Sequence, residues 1–220
     1  MPKQEVVEVK KNELAGAQQL TITPSDIDIP ILNIVQKTSS IDGPVGSVVL
    51  DKTHILMEPE DSREVIVVTA LKRWRENIPY GSDELPRIAE DEAQKEAIEK
   101  NSEWGTIEFA DIILLIPQPK GDDNEAAYTV PIEDSMYAIG KLNAAKDAYR
   151  MTFKRLATFC MYNPTTPFSH RKWTFSADLL TKGKHSWYAP SLTITKNKPS
   201  DDVISFVNRL TSWYDYYPSS

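Results

Sequence analysis

Residues 136–198 read MYAIG KLNAAKDAYR MTFKRLATFC MYNPTTPFSH RKWTFSADLL TKGKHSWYAP SLTITKNK. Their periodicity predicts a helix followed by a basic hairpin. The stretch holds Lys141, Lys146, Arg150, Lys154, Arg155, Arg171, Lys172, Lys182, Lys184, Lys196 and Lys198 against only Asp147 and Asp178, a local charge of +9. The whole chain is −7, which leaves −16 for the remainder. Ten aromatic residues, from Tyr137 to Tyr188, are interleaved with these cations. Cations attract a phosphate backbone and flat rings stack on unpaired bases, so the pattern suits a single-stranded nucleic acid. The plainer reading is aromatics in a core and lysines solvating a surface.

Within the stretch, residues 138–161 carry an apolar stripe at helical spacing: Leu142, Ala145, Tyr149, Phe153, Leu156 and Cys160. Lys146, Arg150 and Lys154 recur at four-residue steps, which places them in a row on another side of that helix. Asn163-Pro164 ends it. The hairpin runs over 171–180 and 185–195, turning at Thr181-Lys182-Gly183-Lys184. Alternation puts Arg171, Trp173, Phe175, Ala177 and Leu179 on one face, joined by Tyr188, Leu192 and Ile194. Trp187 falls opposite, with Ala189, Ser191, Thr193 and Thr195, which makes it the leading stacking candidate.

Moving outward, residues 1–24 are polar and read as a flexible arm. Residues 25–38 form a short amphipathic segment, with Asp28 as a cap and Pro30 in the first turn of a helix. Residues 44–50 and 53–58 read as a hairpin around Asp51-Lys52. Residues 64–75 are a strand apolar on both faces, hence central. It ends in Lys72-Arg73-Trp74-Arg75, a second basic-aromatic cluster whose plainer role is a sheet corner. Residues 83–103 are strongly acidic, with helical composition from 88 to 100. They read as a solvated insertion or, more sharply, as a cover over the basic groove. Residues 106–116 are another strand, 118–124 a turn and 127–132 its return. Ser200 or Asp201 caps a closing helix, and the end of the chain is aromatic.

Fifteen prolines against eight glycines favour strands and loops over a helical bundle. One cysteine, Cys160, allows no intrachain disulfide and fits a reducing, cytoplasmic location. The start is too charged for a signal peptide, and the longest apolar run is too short to span a bilayer. His54, His170 and His185 are scattered, and neither a glycine-rich phosphate loop nor a nucleophile elbow is present. No cofactor, metal or catalytic set is therefore expected. A carboxylate cluster from Asp111, Asp122, Asp123 and Asp134 would be the nuclease-like exception.

The segment order is an Ile-Pro-rich opening, a strand ending Lys72-Arg73-Trp74, an acidic insertion, a helix dense in Ala and Lys/Arg, and a basic hairpin from Trp173 to Trp187. This order resembles bacteriophage single-stranded DNA-binding proteins and related phage DNA-metabolism proteins over roughly residues 26–196. The resemblance lies in pattern and order, without a crisp motif. It implies an OB-type barrel across 25–198, in a mainly β, α+β chain with an inserted long helix, the acidic 83–103 insertion and a C-terminal helix over 199–220. It implies non-catalytic binding of single-stranded DNA during phage replication or recombination. Replication or recombination proteins and further copies of the chain are the open additional partners, with no membrane. The residues expected to bind are Lys72, Arg73, Trp74, Arg75, Lys146, Arg150, Lys154, Arg171, Lys172, Lys182, Lys184, Trp187 and Tyr188. Members of that group often end in an acidic recruiting tail, which Tyr214-Asp215-Tyr216-Tyr217 does not supply. The alternative is a structural or virion component whose basic face meets an acidic partner.

Overall fold

The structure, a computed structural model, describes residues 27–79, 82–118 and 129–216, with the side chains of the last helix placed through residue 212. The expected arm over 1–24, most of the 118–124 turn and the final residues lie outside the described residues.

The chain is mainly β with packed helices, built on one curled half-barrel sheet. Its strands are β1 (Ile31–Ile34), β2 (Val48–Leu50), β3 (His54–Met57), β4 (Ser62–Glu76), β5 (Ile88–Ala89), β6 (Thr106–Pro117), β7 (Thr129–Ile132), β8 (Ser135–Ala145), β9 (Lys172–Lys182) and β10 (His185–Ile194). The helices are α1 (Glu92–Lys100), α2 (Asp147–Met151), α3 (Phe153–Tyr162) and α4 (Asp201–Tyr216). The sheet order is β10-β9-β4-β6-β8-β1-β2-β3, with β5 added to β4 and β7 to β8. Neighbours are antiparallel except β1 and β8, which run parallel.

β4 and β6 are central, as their two-sided apolar pattern predicts. Their alternate residues feed two apolar layers. Val65, Val67, Ile112, Leu114 and Ile116 face an inner core closed by Tyr149 of α2 and by Leu156 and Phe159 of α3. Ile66, Val68, Ile113 and Leu115 face an outer core closed by Val203 and Val207 of α4. The closing helix is thus one wall of the domain. The β2–β3 turn at Asp51-Lys52 takes positive φ at both residues, the backbone of a type I′ hairpin.

Two expected helices are different. Of the expected helix over 25–38, the described residues 27–38 form none: 31–34 are the strand β1, paired with β2 on one side and β8 on the other. The β-branched isoleucines suit that pleated position between two strands. The long helix over 138–161 is also corrected. Its first half is β8, which pairs with β6 from Phe109↔Ala145 to Pro117↔Tyr137. Its second half is two short helices, α2 and α3, broken at Thr152 (φ −120°, ψ −80°). The inward residues of β8 are Ala138, Gly140, Leu142 and Ala144, all buried. A Cβ on Gly140 would lie 2.6 Å from Leu32 Cγ, so the small residues let β1 lie close against β8.

The curl brings the far edge strand round to the chain segment after β1. Gln36 Nε2 donates to the Tyr188 carbonyl at 2.8 Å, and the Tyr188 N–H donates to Gln36 Oε1 at 2.9 Å. Beside this seam Gly46 (φ +100°) lies under the Tyr188 ring, where a Cβ would meet ring carbons at 2.9 Å. Arg155 of α3 ties the edge further along. Its Nη1 donates to Ser191 Oγ, the Leu192 carbonyl and Thr193 Oγ1 at 2.9–3.1 Å. Ala189 and Ser191, expected on an open polar face, are buried, whereas Leu179, expected in the core, is exposed. β4 begins at Ser62, opposite Ser176, so the tip of β9 has no neighbour on that side among the described residues.

Candidate nucleic-acid interface

Register decides which cations meet. On β4, Lys72 and Trp74 lie on the inner face, paired with Ala110 and Glu108 of β6. On β6's other side Phe109 pairs with Ala145, the last residue of β8. Lys146 is therefore the next residue at that corner, one strand away from Glu108. It caps α2 with φ 55° and is exposed. Arg150 and Lys154 follow on α2 and α3, both exposed. The fold thus gathers Lys72, Trp74, Lys146, Arg150 and Lys154 at one end of the sheet, although 74 residues separate the first from Lys146.

Several of these cations already have partners. Lys72 Nζ lies 2.6 Å from Glu108 Oε1 and 4.7 Å from the centre of the Trp74 ring. Lys95 of α1 sits 5.8 Å from the same ring. Arg150 pairs with Asp147 at 3.1 Å, an exposed one-turn contact. Lys154 lies 5.9 Å from the Tyr149 ring, which stacks on Phe153 with centroids 5.1 Å apart. Burial, and then the Glu108 charge, hold the Tyr149 phenol up to about 12. It stays neutral and apolar at physiological pH.

Arg73 and Arg75 point to the outer face. Arg73 spans Asp111 at 3.2 Å and Glu90 at 3.4 Å. Burial raises the Asp111 carboxyl, and Arg73 and Lys141 oppose that rise. Asp111 of β6 is thus the cross-strand ion-pair partner of Arg73 on β4. Arg75 forms no ion pair with a described residue. Lys172 reaches Glu64 at 3.7 Å in the middle of the sheet, and Arg171 precedes it, half-buried.

Lys182, Lys184 and Trp187 stand elsewhere. The β9–β10 hairpin continues past the start of β4, away from Lys72. Trp187 pairs with Leu180 on the outer face, half-buried. At about 3.3 Å per residue, it lies roughly 50 Å from Trp74 measured along the strands. Tyr188 has both its backbone groups and its ring committed to the seam. The expected residues therefore fall into a corner cluster, an outer arginine pair, a mid-sheet pair and a distant hairpin tip. Lys95 and Glu108 belong to the corner, yet sequence spacing carries no signal for them, because the β4–β6 register brings Glu108 there and the packing of α1 beside Trp74 brings Lys95.

The acidic insertion is anchored. Glu76, 4% exposed, accepts from Arg87 Nε at 2.9 Å and Nη2 at 2.7 Å, and the Glu76 N–H donates to the Arg87 carbonyl. Asp91 caps α1 by accepting from the Gln94 N–H, and Ala89 and Ile98 are buried. The bonds from Arg87, then Ser102, hold the Glu76 carboxyl down at about 2 from its ordinary 4.5. A depressed carboxylate stabilises the fold above 4.5, and that contribution disappears as pH falls through about 2. In amide exchange, the α1 protection factors should therefore drop between pH 4.5 and 2. Glu76→Gln should lose that protection already at neutral pH, leaving no further acid step. An unchanged acid step in the variant would refute this anchor.

Among the described residues, no three His, Cys, Asp or Glu side chains gather for a metal ion, and no helix is long and apolar enough to cross a membrane. The chain matches no family model, no curated protein and no solved structure.

Proposed function

We propose that the chain binds single-stranded DNA without catalysis, through the corner where β4, β8 and α2 meet. The observation that carries this reading is the convergence of Lys72 with Lys146, Arg150 and Lys154 beside half-buried aromatic rings. Cations spaced along a curled sheet track phosphates, and unpaired bases need neighbouring flat faces. The same proposal includes an OB-like use of the sheet, a phage origin, service in replication or recombination, and a cytoplasmic location. Trp74 contributes there as a ring flanked by two ammonium groups, and the hairpin with Trp187, Lys182 and Lys184 forms a second contact further along the strand. Gel-shift titration with single- and double-stranded oligonucleotides at two salt concentrations tests it. Single strands should bind more tightly and lose affinity steeply with salt.

Trp187 gives a separate readout. Trp187→Ala should weaken binding to oligo(dT) by about tenfold, within the range for one stacked base, and reduce fluorescence quenching to the part due to Trp74. Wild-type affinity together with undiminished quenching would remove the hairpin from the interface.

A second reading is a structural component whose basic face meets an acidic partner. It is favoured by the carboxylates that Lys72 and Arg73 hold here. Salt-sensitive self-association in the absence of DNA would select it.

A further inference from the structure

The cationic row does not stop at Lys154. Continuing at four-residue steps gives Thr158 and then Tyr162, the last residue of α3. Thr152 breaks the helical path, so Lys146 and Arg150 make one straight piece and Lys154, Thr158 and Tyr162 another. Side chains four apart lie one above the next along a helix, about 6 Å per step. Lys154, Thr158 and Tyr162 are all exposed. The Thr158 hydroxyl donates back to the Lys154 carbonyl at 2.7 Å, which folds it against the helix and leaves the stripe open.

Tyr162 differs from every other described ring. It is 74% exposed, and the neighbouring Met161 is 67% exposed. All other described tryptophans, tyrosines and phenylalanines are buried or half-buried. Several have clear packing roles: Tyr149 stacks on Phe153, and Phe159 meets Trp173 edge to face. Tyr162 packs in neither apolar core. Its ring faces are open at the end of a row whose other end carries Lys146 and the Asp147-paired Arg150.

We propose that Tyr162 is a base-stacking platform and that the strand runs along α3, with Lys154 on a phosphate and a base on the Tyr162 ring. This rests on the single-stranded DNA reading above. The two residues are separated by about 12 Å along the helix, the span of three to four stacked nucleotides. Stacking uses the ring face, so the hydroxyl is dispensable.

The test is equilibrium binding of a labelled oligo(dT) to the full chain at several salt concentrations. Tyr162→Ala should weaken binding about 5- to 150-fold with an unchanged salt slope. Tyr162→Phe should stay within about twofold of wild type, and Lys154→Ala should lower the slope by about 0.7. Since Tyr162 is exposed, its variants should melt at the wild-type temperature. If wild type binds and Tyr162→Ala binds equally well, the platform is overturned while the DNA reading stands. If the affinity loss comes with a changed slope, or persists in Tyr162→Phe, stacking is likewise overturned. If wild type binds no single strand even at low salt, the DNA reading fails and takes this inference with it.

Discussion

Trp173→Ala is expected to cost about 3–5 kcal/mol of stability, the range for truncating a buried aromatic. Trp173 is 1% exposed. It stands near the start of β9, alongside β4 and opposite Val65. Its ring meets Phe159 edge to face at 5.5 Å, and its Nε1 donates to the Phe168 carbonyl at 3.0 Å. One side chain therefore joins the sheet, α3 and the turn at 168–170. Truncation opens a cavity in the inner core and leaves the Phe168 carbonyl with one of its two donors, the Arg171 N–H. Domains of this kind hold about 5–15 kcal/mol in all, so the variant should unfold at a much lower denaturant concentration. Trp173→Phe keeps most of the volume and should recover more than half of the loss. Equilibrium urea unfolding measures both. A loss under 1 kcal/mol for the alanine variant would mean that the inner core is not organised around this ring.

The second large effect concerns binding. Replacing Lys146, Arg150 and Lys154 together with glutamine should lower the salt slope for single-stranded DNA by about 2 units, at about 0.7 per phosphate contact. Extrapolated from 1 M salt, where screening removes this contribution, the loss at 50 mM is between two and three powers of ten. Glutamine preserves helix propensity, so the fold should persist. The Arg150–Asp147 pair is no obstacle, because an exposed pair is worth at most about 1 kcal/mol. An unchanged slope in the triple variant would remove the corner from the interface, whatever the hairpin does.

The hairpin from Trp173 to Ile194 was legible because alternation survives wherever one face is buried. Trp173, Phe175 and Ala177 bury as the pattern predicts. The reading loses hold at Leu179, where β4 no longer runs alongside, and at Ala189 and Ser191, on an edge strand tied back by Arg155. Neither partner is near in sequence. Residues 138–145 look helical for a local reason. Alanine is a strong helix former, yet Ala138, Gly140 and Ala144 are small here so that the sheet can pack tightly. Leu142 fits a helical stripe and a strand face equally well. For β1 the apolar run fits either element, and Pro30 suits the residue before a strand as well as a helix start. The corner cluster was only half legible. Its residues were visible one by one, and the register that joins them was not.

The Gln36–Tyr188 seam has a mechanical consequence. Between β9 and β10, β4 and β6, and β6 and β8 the wall is held by long runs of paired backbone groups. At the seam two hydrogen bonds from one uncharged side chain do the holding, about 2 kcal/mol at ordinary net values. Losing that amide would loosen the wall at this point and leave the β4, β6 and β8 pairings beside the cationic corner in place. The molecule thus has a crease that the Gln36 amide and the Arg155 ties hold from the side chain, so wall opening and corner charge can be altered separately.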